Sequence, residues 1–350
     1  MYLMKIRPQF VLGGGQSLVR VLNNQRRELS SNGYNSWEEI RIPVPYGHIA
    51  GKAWGDPQGK PILGLHGWLD NAGTHDNIIP LLPPGYRFVC LDHPGHGRSS
   101  HYPPGMQYKL SDAFSFIREV LDHLKWDQCT IMGHSLGAGM GLWYAALFPE
   151  QVTKVIAIDL ISFGPMKLDK HVATSRKSVK IAEATHKKLA SGGKLPYYNF
   201  EDSCGRAFMA TNILGGLGSI TKESVEVLMA RGLVPHPQKE DLYTWSADLR
   251  LRIPTTFNMV QEVAEEYASK ISSPHLFIKA KDSSKYMTDE GYNRLLKVYR
   301  NHNPNFIYRE VEGGHHLHLN TPHLIAPIIG DFLEKEFKQP DPENSQFDMI

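Results

Sequence analysis

The sequence predicts a doubly wound α/β sheet interrupted by a helical insertion. Three observations carry that expectation. From about residue 37, short apolar runs alternate with amphipathic stretches. The later runs are continuously apolar, as strands covered on both faces are. The alternation stops between roughly residues 162 and 270 and then resumes.

The elements follow in order. Strands are expected at Glu39–Val44, His48–Trp54, Pro61–His66, Arg87–Asp92, Cys129–Gly133, Lys154–Asp159, His275–Ala280 and Asn305–Val311. Leu110–Leu124 sets Ala113, Phe116, Ile117, Val120, Leu121 and Leu124 on one helical face. Leu136–Phe148 is an apolar helix, and Tyr292–Tyr299 and Pro322–Phe337 are amphipathic, with Pro322 suited to a first turn. The insertion reads as helices over 168–190, 200–213, 221–231 and 255–269, without strand signals. The resulting division is a core of 37–161 and 271–338, a helical cap of 162–270, a flexible segment or presequence at 1–36 and a tail at 339–350. Lys167, Lys170, Arg176, Lys177, Lys180, Lys187 and Lys188 make the first cap helix basic, which reads as a solvated face.

Composition excludes several functions. Lys plus Arg is 38 against 36 for Asp plus Glu, so no nucleic-acid partner is expected. No apolar run reaches the ~18 residues a membrane span needs. Cys90, Cys129 and Cys204 form no C-x-x-C pair, which disfavours a disulfide framework or structural zinc. This leans towards an intracellular, cytoplasmic protein. Residues 1–27 carry five basic side chains and no acid, which fits a mitochondrial presequence or a basic disordered tail equally.

The strongest chemical signal is Gly133-His134-Ser135-Leu136-Gly137. A serine between a strand and an apolar helix sits on a sharp turn that exposes its hydroxyl at the carboxyl edge of the sheet. Such a hydroxyl needs a base. Gly314-His315-His316-Leu317-His318 follows the last strand, and His315 is the expected base, with His316 and His318 as competitors. A metal is not expected there, because no partnering ligand cluster is evident along the chain. The base needs an orienting acid. Asp282 and Asp159 both end strands and both satisfy the order Ser…Asp…His. Asp282 is preferred because its strand immediately precedes the one that delivers His315. Two donors must hold an oxyanion, and the backbone N–H groups of Trp68 and Leu136 are the candidates.

These residues resemble the α/β-hydrolase family. His66-Gly67-Trp68, Asp92-His93-Pro94-Gly95-His96-Gly97-Arg98-Ser99, the Ser135 turn, Phe277–Asp282, Gly314-His315 and Pro322 occur in the family's order over about residues 37–337. Pro45–Gly55 and Leu65–Asn71 resemble its serine hydrolase-like, kraken-like subgroup. The resemblance implies an eight-stranded, mostly parallel sheet with a helical cap inserted after strand 6. It assigns His93 and His96 to a conserved-type loop rather than to metal. A serine at position 135, where related dehalogenases and epoxide hydrolases carry aspartate, disfavours those activities. Lys279 departs from the family, which often has glycine three residues before the acid. The expected function is hydrolysis of a small-molecule ester or related acyl bond through Ser135, His315 and Asp282, with no cofactor. The alternative is a non-catalytic ligand-binding protein on the same fold.

Overall fold

A computed structural model describes residues 33–34, 36–165, 168–192, 196–216, 218–254 and 260–337. The basic stretch 1–27 and the tail 339–350 lie outside these residues.

The chain first lays down β1 (Trp37–Val44) and β2 (Gly47–Trp54), an antiparallel hairpin turned at Pro45-Tyr46. There follow β3 (Lys60–Leu65), β4 (Tyr86–Leu91), helix α1 (Asp112–Leu124), β5 (Cys129–His134), α2 (Leu136–Leu147) and β6 (Val152–Ile158). Between β6 and the next strand of the main sheet come α3 (His171–Ala190), α4 (Phe200–Gly215) and α5 (Lys222–Gly232). They are followed by β7 (Leu233–Pro235), β8 (Tyr243–Trp245) and α6 (Gln261–Lys270). The chain then returns through β9 (His275–Ala280), α7 (Asp289–His302), β10 (Phe306–Val311), α8 (Leu317–Asn320) and α9 (Ala326–Glu334).

All eight expected strands form one sheet, ordered β1-β2-β4-β3-β5-β6-β9-β10. β2 runs antiparallel to both β1 and β4, and every other pairing is parallel. Successive side chains point to opposite faces, so each central strand feeds two cores. Ile131 and Phe277 join one with Phe116, Ile117 and Leu295, while Met132 and Leu276 join the other with Ile329 and Phe332. That two-sided burial is why these strands read as unbroken apolar runs. α1 buries all of its expected face except Leu124, which is half-buried, and ends where Lys125 turns left-handed.

Two expectations change. The insertion contains strands after all, the short antiparallel hairpin β7–β8. Three-residue strands are too brief to show a period of two in sequence. In addition, α6 buries Ala264 and Ala268 in the same core as Phe116 and Phe277. The last helix of the insertion therefore packs as part of the sheet's own helical layer. The basic residues Arg176, Lys177, Lys180, Lys187 and Lys188 of α3 are exposed, as a solvated face should be.

The strand order locates the site. After β3 the chain moves outward to β4, then crosses back to β5 on the other side of β3. At such a reversal the loops leaving the carboxyl ends diverge and open a crevice. Gly67 and Trp68 follow β3, and Ser135 follows β5, so both stand at its mouth.

Candidate active site

Ser135 connects β5 to α2 with φ 50° and ψ −117°, a conformation that costs a non-glycine residue energy and turns its hydroxyl outward. The turn is tight enough to dictate its flanks. A Cβ on Gly133 would lie 2.4 Å from the Gly137 carbonyl oxygen, and one on Gly137 would lie 2.3 Å from that of Leu65. Only glycine at both positions lets α2 start this close to β3 and β5. The Ser135 N–H is tied to the Ile158 carbonyl at 2.9 Å, so the end of β6 helps hold the turn.

His315 lies in the loop after β10. Its Nε2 is 2.9 Å from Ser135 Oγ, and its Nδ1 is 2.6 Å from Asp159 Oδ2. The carboxylate can only accept, so Nδ1 carries the hydrogen and Nε2 presents a lone pair to the serine hydroxyl. The competing histidines point elsewhere. His316 Nδ1 faces the Ser219 carbonyl at 3.2 Å, and His318 Nε2 is paired with Thr74 Oγ1 at 2.8 Å.

The acid beside His315 is Asp159, which corrects the preference for Asp282. The reason is the path of the chain after β9. Lys281 N–H bonds the Val311 carbonyl at 2.9 Å and Asp282 N–H bonds the Gly313 carbonyl at 3.1 Å. The segment thus keeps following β10 towards the sheet edge and leaves Asp282 exposed. Asp159 ends β6, which lies directly beside β5, and the His315 loop folds back over β9 to reach it.

Asp159 is 1% exposed, and its four contacts account for both oxygens. Oδ1 accepts from Lys279 Nζ and from the Ala280 N–H, each at 2.9 Å. Oδ2 accepts from His315 and from Ser283 Oγ. Burial alone would raise this carboxyl's pKa. The His315 hydrogen bond and charge, then Lys279 and Ser283, outweigh it and hold the pKa below the usual range. Lys279, which looked like a departure from pattern, is the buried cation paired with this acid. Neither it nor Ser283 was legible as a site residue, because each acts through a partner 120 or more positions away.

Ser135 and His315 open into a cavity of about 470 Å³. Its floor is the carboxyl edge of the sheet. Its walls include Ala207, Ala210 and Leu214 from α4 and Val225, Leu228 and Met229 from α5. Trp68 and Leu136 line it beside Ser135. Leu136 opens α2, where first-turn N–H groups have no helical acceptor. The Trp68 indole donates to the Leu251 carbonyl at 2.9 Å, which ties the β3 loop to the insertion.

Comparisons with known proteins agree with this architecture. Residues 60–187 match a family model described as the alpha/beta hydrolase fold. A probable serine hydrolase of Drosophila melanogaster is 36% identical over 89% of this chain and 93% of its own length. The human serine hydrolase-like protein 2 is 30% identical over 85% of this chain and 94% of its own. A crystal structure of a hypothetical protein from Pseudomonas aeruginosa PAO1 superposes with a TM-score of 0.73 at 29% identity, covering 85% of this chain and 99% of that one. A thioesterase domain from the curacin biosynthetic pathway shares the fold, with a TM-score of 0.67 at 22% identity over 84% of this chain and 99% of that one. Among the described residues no helix is long and apolar enough to cross a membrane. With matches of this identity running nearly end to end, the chain belongs to the serine hydrolase-like proteins of the α/β hydrolase fold.

Proposed function

We propose that this protein hydrolyses an ester or related acyl bond through Ser135, His315 and Asp159. The observation that carries the reading is the unbroken row Asp159 Oδ2–His315 Nδ1 and His315 Nε2–Ser135 Oγ at the mouth of an apolar cavity. In this reading His315 takes the Ser135 proton as Oγ attacks the carbonyl, and Asp159 holds the tautomer and stabilises the imidazolium. The N–H groups of Leu136 and Trp68 receive the oxyanion. His315 returns the proton to the leaving group, and water, activated by the same base, releases the acyl-enzyme. No cofactor enters the scheme. α3, α4 and α5, with the β7–β8 hairpin, act as the cap, and the aliphatic residues of α4 and α5 select a substrate with an apolar acyl or alcohol group.

The test is labelling with a fluorophosphonate probe followed by a panel of esters of graded chain length. Wild type should label at Ser135 and turn over at least one ester. Ser135→Ala should lose labelling and about 10⁶-fold in kcat while keeping the wild-type unfolding midpoint. A stably folded wild type that neither labels nor turns over any ester would favour the ligand-binding alternative.

A further inference from the structure

Beside His315, two buried imidazole nitrogens converge on one buried carboxylate oxygen. His134 closes β5 and is fully buried. Its Nε2 lies 2.9 Å from the His315 backbone carbonyl. A carbonyl only accepts, so Nε2 carries the hydrogen and Nδ1 is left bare. His316 is fixed in the same way. Its Nδ1 lies 3.2 Å from the Ser219 carbonyl and 3.4 Å from the Ser219 hydroxyl, which leaves Nε2 as the nitrogen turned towards the cluster. Both nitrogens face one carboxylate oxygen, Asp70 Oδ2, at 3.5 Å from His134 Nδ1 and 3.6 Å from His316 Nε2, and the Thr74 hydroxyl approaches the same oxygen at 3.5 Å. The three residues are buried, and their donor atoms all lie within 4.8 Å of one another. Among the described residues His134 Nδ1 has no hydrogen-bond partner.

A cation seated among these three atoms would be held by all of them at once. The separations are too long for hydrogen bonds. The two separations from Asp70 are close to the donor–donor edge of a tetrahedral zinc site, about 3.4 Å when the metal–ligand bonds are about 2.0–2.1 Å. Each imidazole has its other nitrogen anchored on a backbone carbonyl, the arrangement that orients metal-bound histidines. A Cβ built on Gly67 would fall 2.9 Å from both Asp70 Oδ2 and His134 Nδ1. The glycine therefore leaves that side of the cluster open. All three residues also line the cavity that holds Ser135 and His315, which supplies an entry path and solvent for a fourth position.

We propose that Asp70, His134 and His316 bind a divalent transition-metal ion, zinc foremost, and that its occupancy suppresses the chemistry of His315. Two imidazoles and one carboxylate suit zinc among the borderline-soft cations. The bound charge would sit on His134, whose ring holds the His315 carbonyl, and would oppose formation of an imidazolium on His315. The suppressive half rests on the proposed hydrolase function, whereas the binding half does not.

The experiment titrates EDTA-treated full-length protein with Zn²⁺ by calorimetry and with Co²⁺ by visible absorption. Wild type should bind one equivalent, give the intense visible bands of four-coordinate Co²⁺ and unfold at higher temperature with Zn²⁺ present. Asp70→Asn and His316→Gln should each weaken binding by about 100-fold or more and lose the thermal shift. His123→Ala, at an exposed histidine, should leave affinity unchanged. Where one site variant fails to fold, the other carries the same comparison. Ester turnover by wild type should fall with the half-saturation of Zn²⁺ binding and return with EDTA. Failure of wild type to bind at about 1 mM Zn²⁺, or equal binding by both site variants, overturns the site, and the convergent lone pairs then hold a proton instead. Binding without loss of turnover overturns the suppressive half. A protein with no turnover at all bears on the proposed function and leaves the binding result to decide the site.

Discussion

Two buried aspartates stand at the same sheet edge, after β4 and after β6, and they have opposite fates. Asp92 follows β4 and is fully buried. Its oxygens accept from the backbone N–H groups of Ala72 at 2.8 Å and Arg98 at 2.7 Å and from Arg231 Nε at 2.8 and 2.9 Å. Arg231 ends α5 and also grips both carboxylate oxygens of Glu39 on β1 at 2.8 Å. Asp159 is as deeply buried and also has a cation, Lys279, but one of its oxygens goes to an imidazole whose far nitrogen reaches a serine in a cavity. Burial and ion pairing do not distinguish the two. What does is whether the chain of partners ends on the protein or on open space. Asp92 is a brace between the insertion and the sheet, and Asp159 is the root of the proposed relay.

The largest effect should come from disturbing the relay. Asp159→Asn keeps the shape but favours the wrong His315 tautomer, and the corresponding change in a worked Ser-His-Asp triad costs about 10⁴ in turnover. The unfolding midpoint should move far less than the rate. Steady-state kinetics beside a denaturation curve would check this, and a rate within tenfold of wild type would remove Asp159 from the mechanism.

The brace should answer in the other way. Arg231→Ala leaves the Asp92 carboxylate buried without its side-chain cation, a change that typically costs about 3–5 kcal/mol. Urea denaturation should report that loss, while turnover of the folded fraction stays within about tenfold. Equal losses of rate and stability would dissolve the distinction between the two aspartates.

The imidazoles extend the contrast. His66, His93 and His96 surround the Asp92 loop, with the His66 and His93 rings stacked at 3.8 Å. Burial pushes His66 down to about 4, His96 down to about 3 and His93 well below its ordinary 6.5. In the proposed reaction His315 instead takes up and returns a proton. For the three neutral rings the sign is fixed. Below pH 6.5 the unfolded chain takes up protons that the native state refuses, so stability falls as pH falls, until about pH 4 for His66 and about 3 for His96. Each ring costs about 1.4 kcal/mol per pH unit in that window, or about 4 kcal/mol for the three at pH 5.5. Chemical denaturation at pH 7.5 and 5.5 should show a drop of that size or more, because burial lowers His75 to about 4 and His275 to about 3 as well. A flat profile would mean that these rings are protonated in the native state.

Sequence reached the local parts of this molecule. The central strands of the main sheet were legible because two-sided burial writes unbroken apolar runs, and Ser135 was legible because its turn admits only glycine at 133 and 137. The β7–β8 hairpin was not, since three residues show no period. The allegiance of α6 to the sheet was not, since an amphipathic helix does not say which apolar surface it meets. The Asp70, His134 and His316 cluster was invisible because each ligand leaves a different strand, and only the order β3-β5-β6-β9-β10 gathers them. A ligand count along the chain finds neighbours in sequence, and here the partners are neighbours at one sheet edge.

The smallest predicted effect is on the acid that sequence order favoured. Adjacency of strands along the chain suggested that the segment after β9 would meet the loop after β10, and it does, but through its backbone. The N–H groups of Lys281 and Asp282 bond the carbonyls of Val311 and Gly313, and an asparagine at 282 keeps that N–H. The Asp282 carboxylate is exposed, whereas the carboxylate that meets His315 Nδ1 is that of Asp159, after the strand next to the one carrying Ser135. Substitutions at exposed positions away from special features usually change stability by about 0.5 kcal/mol or less. Asp282→Asn should therefore match wild type in denaturation within about 0.5 kcal/mol and in kcat/KM within about twofold, a free-energy change of similar size. Measured beside Asp159→Asn, the pair spans nearly four orders of magnitude for one chemical change at two strand ends. If the two values were interchanged, Asp282 would be the acid after all, and the loop after β9 would have to turn inward during catalysis, breaking its hydrogen bonds to β10.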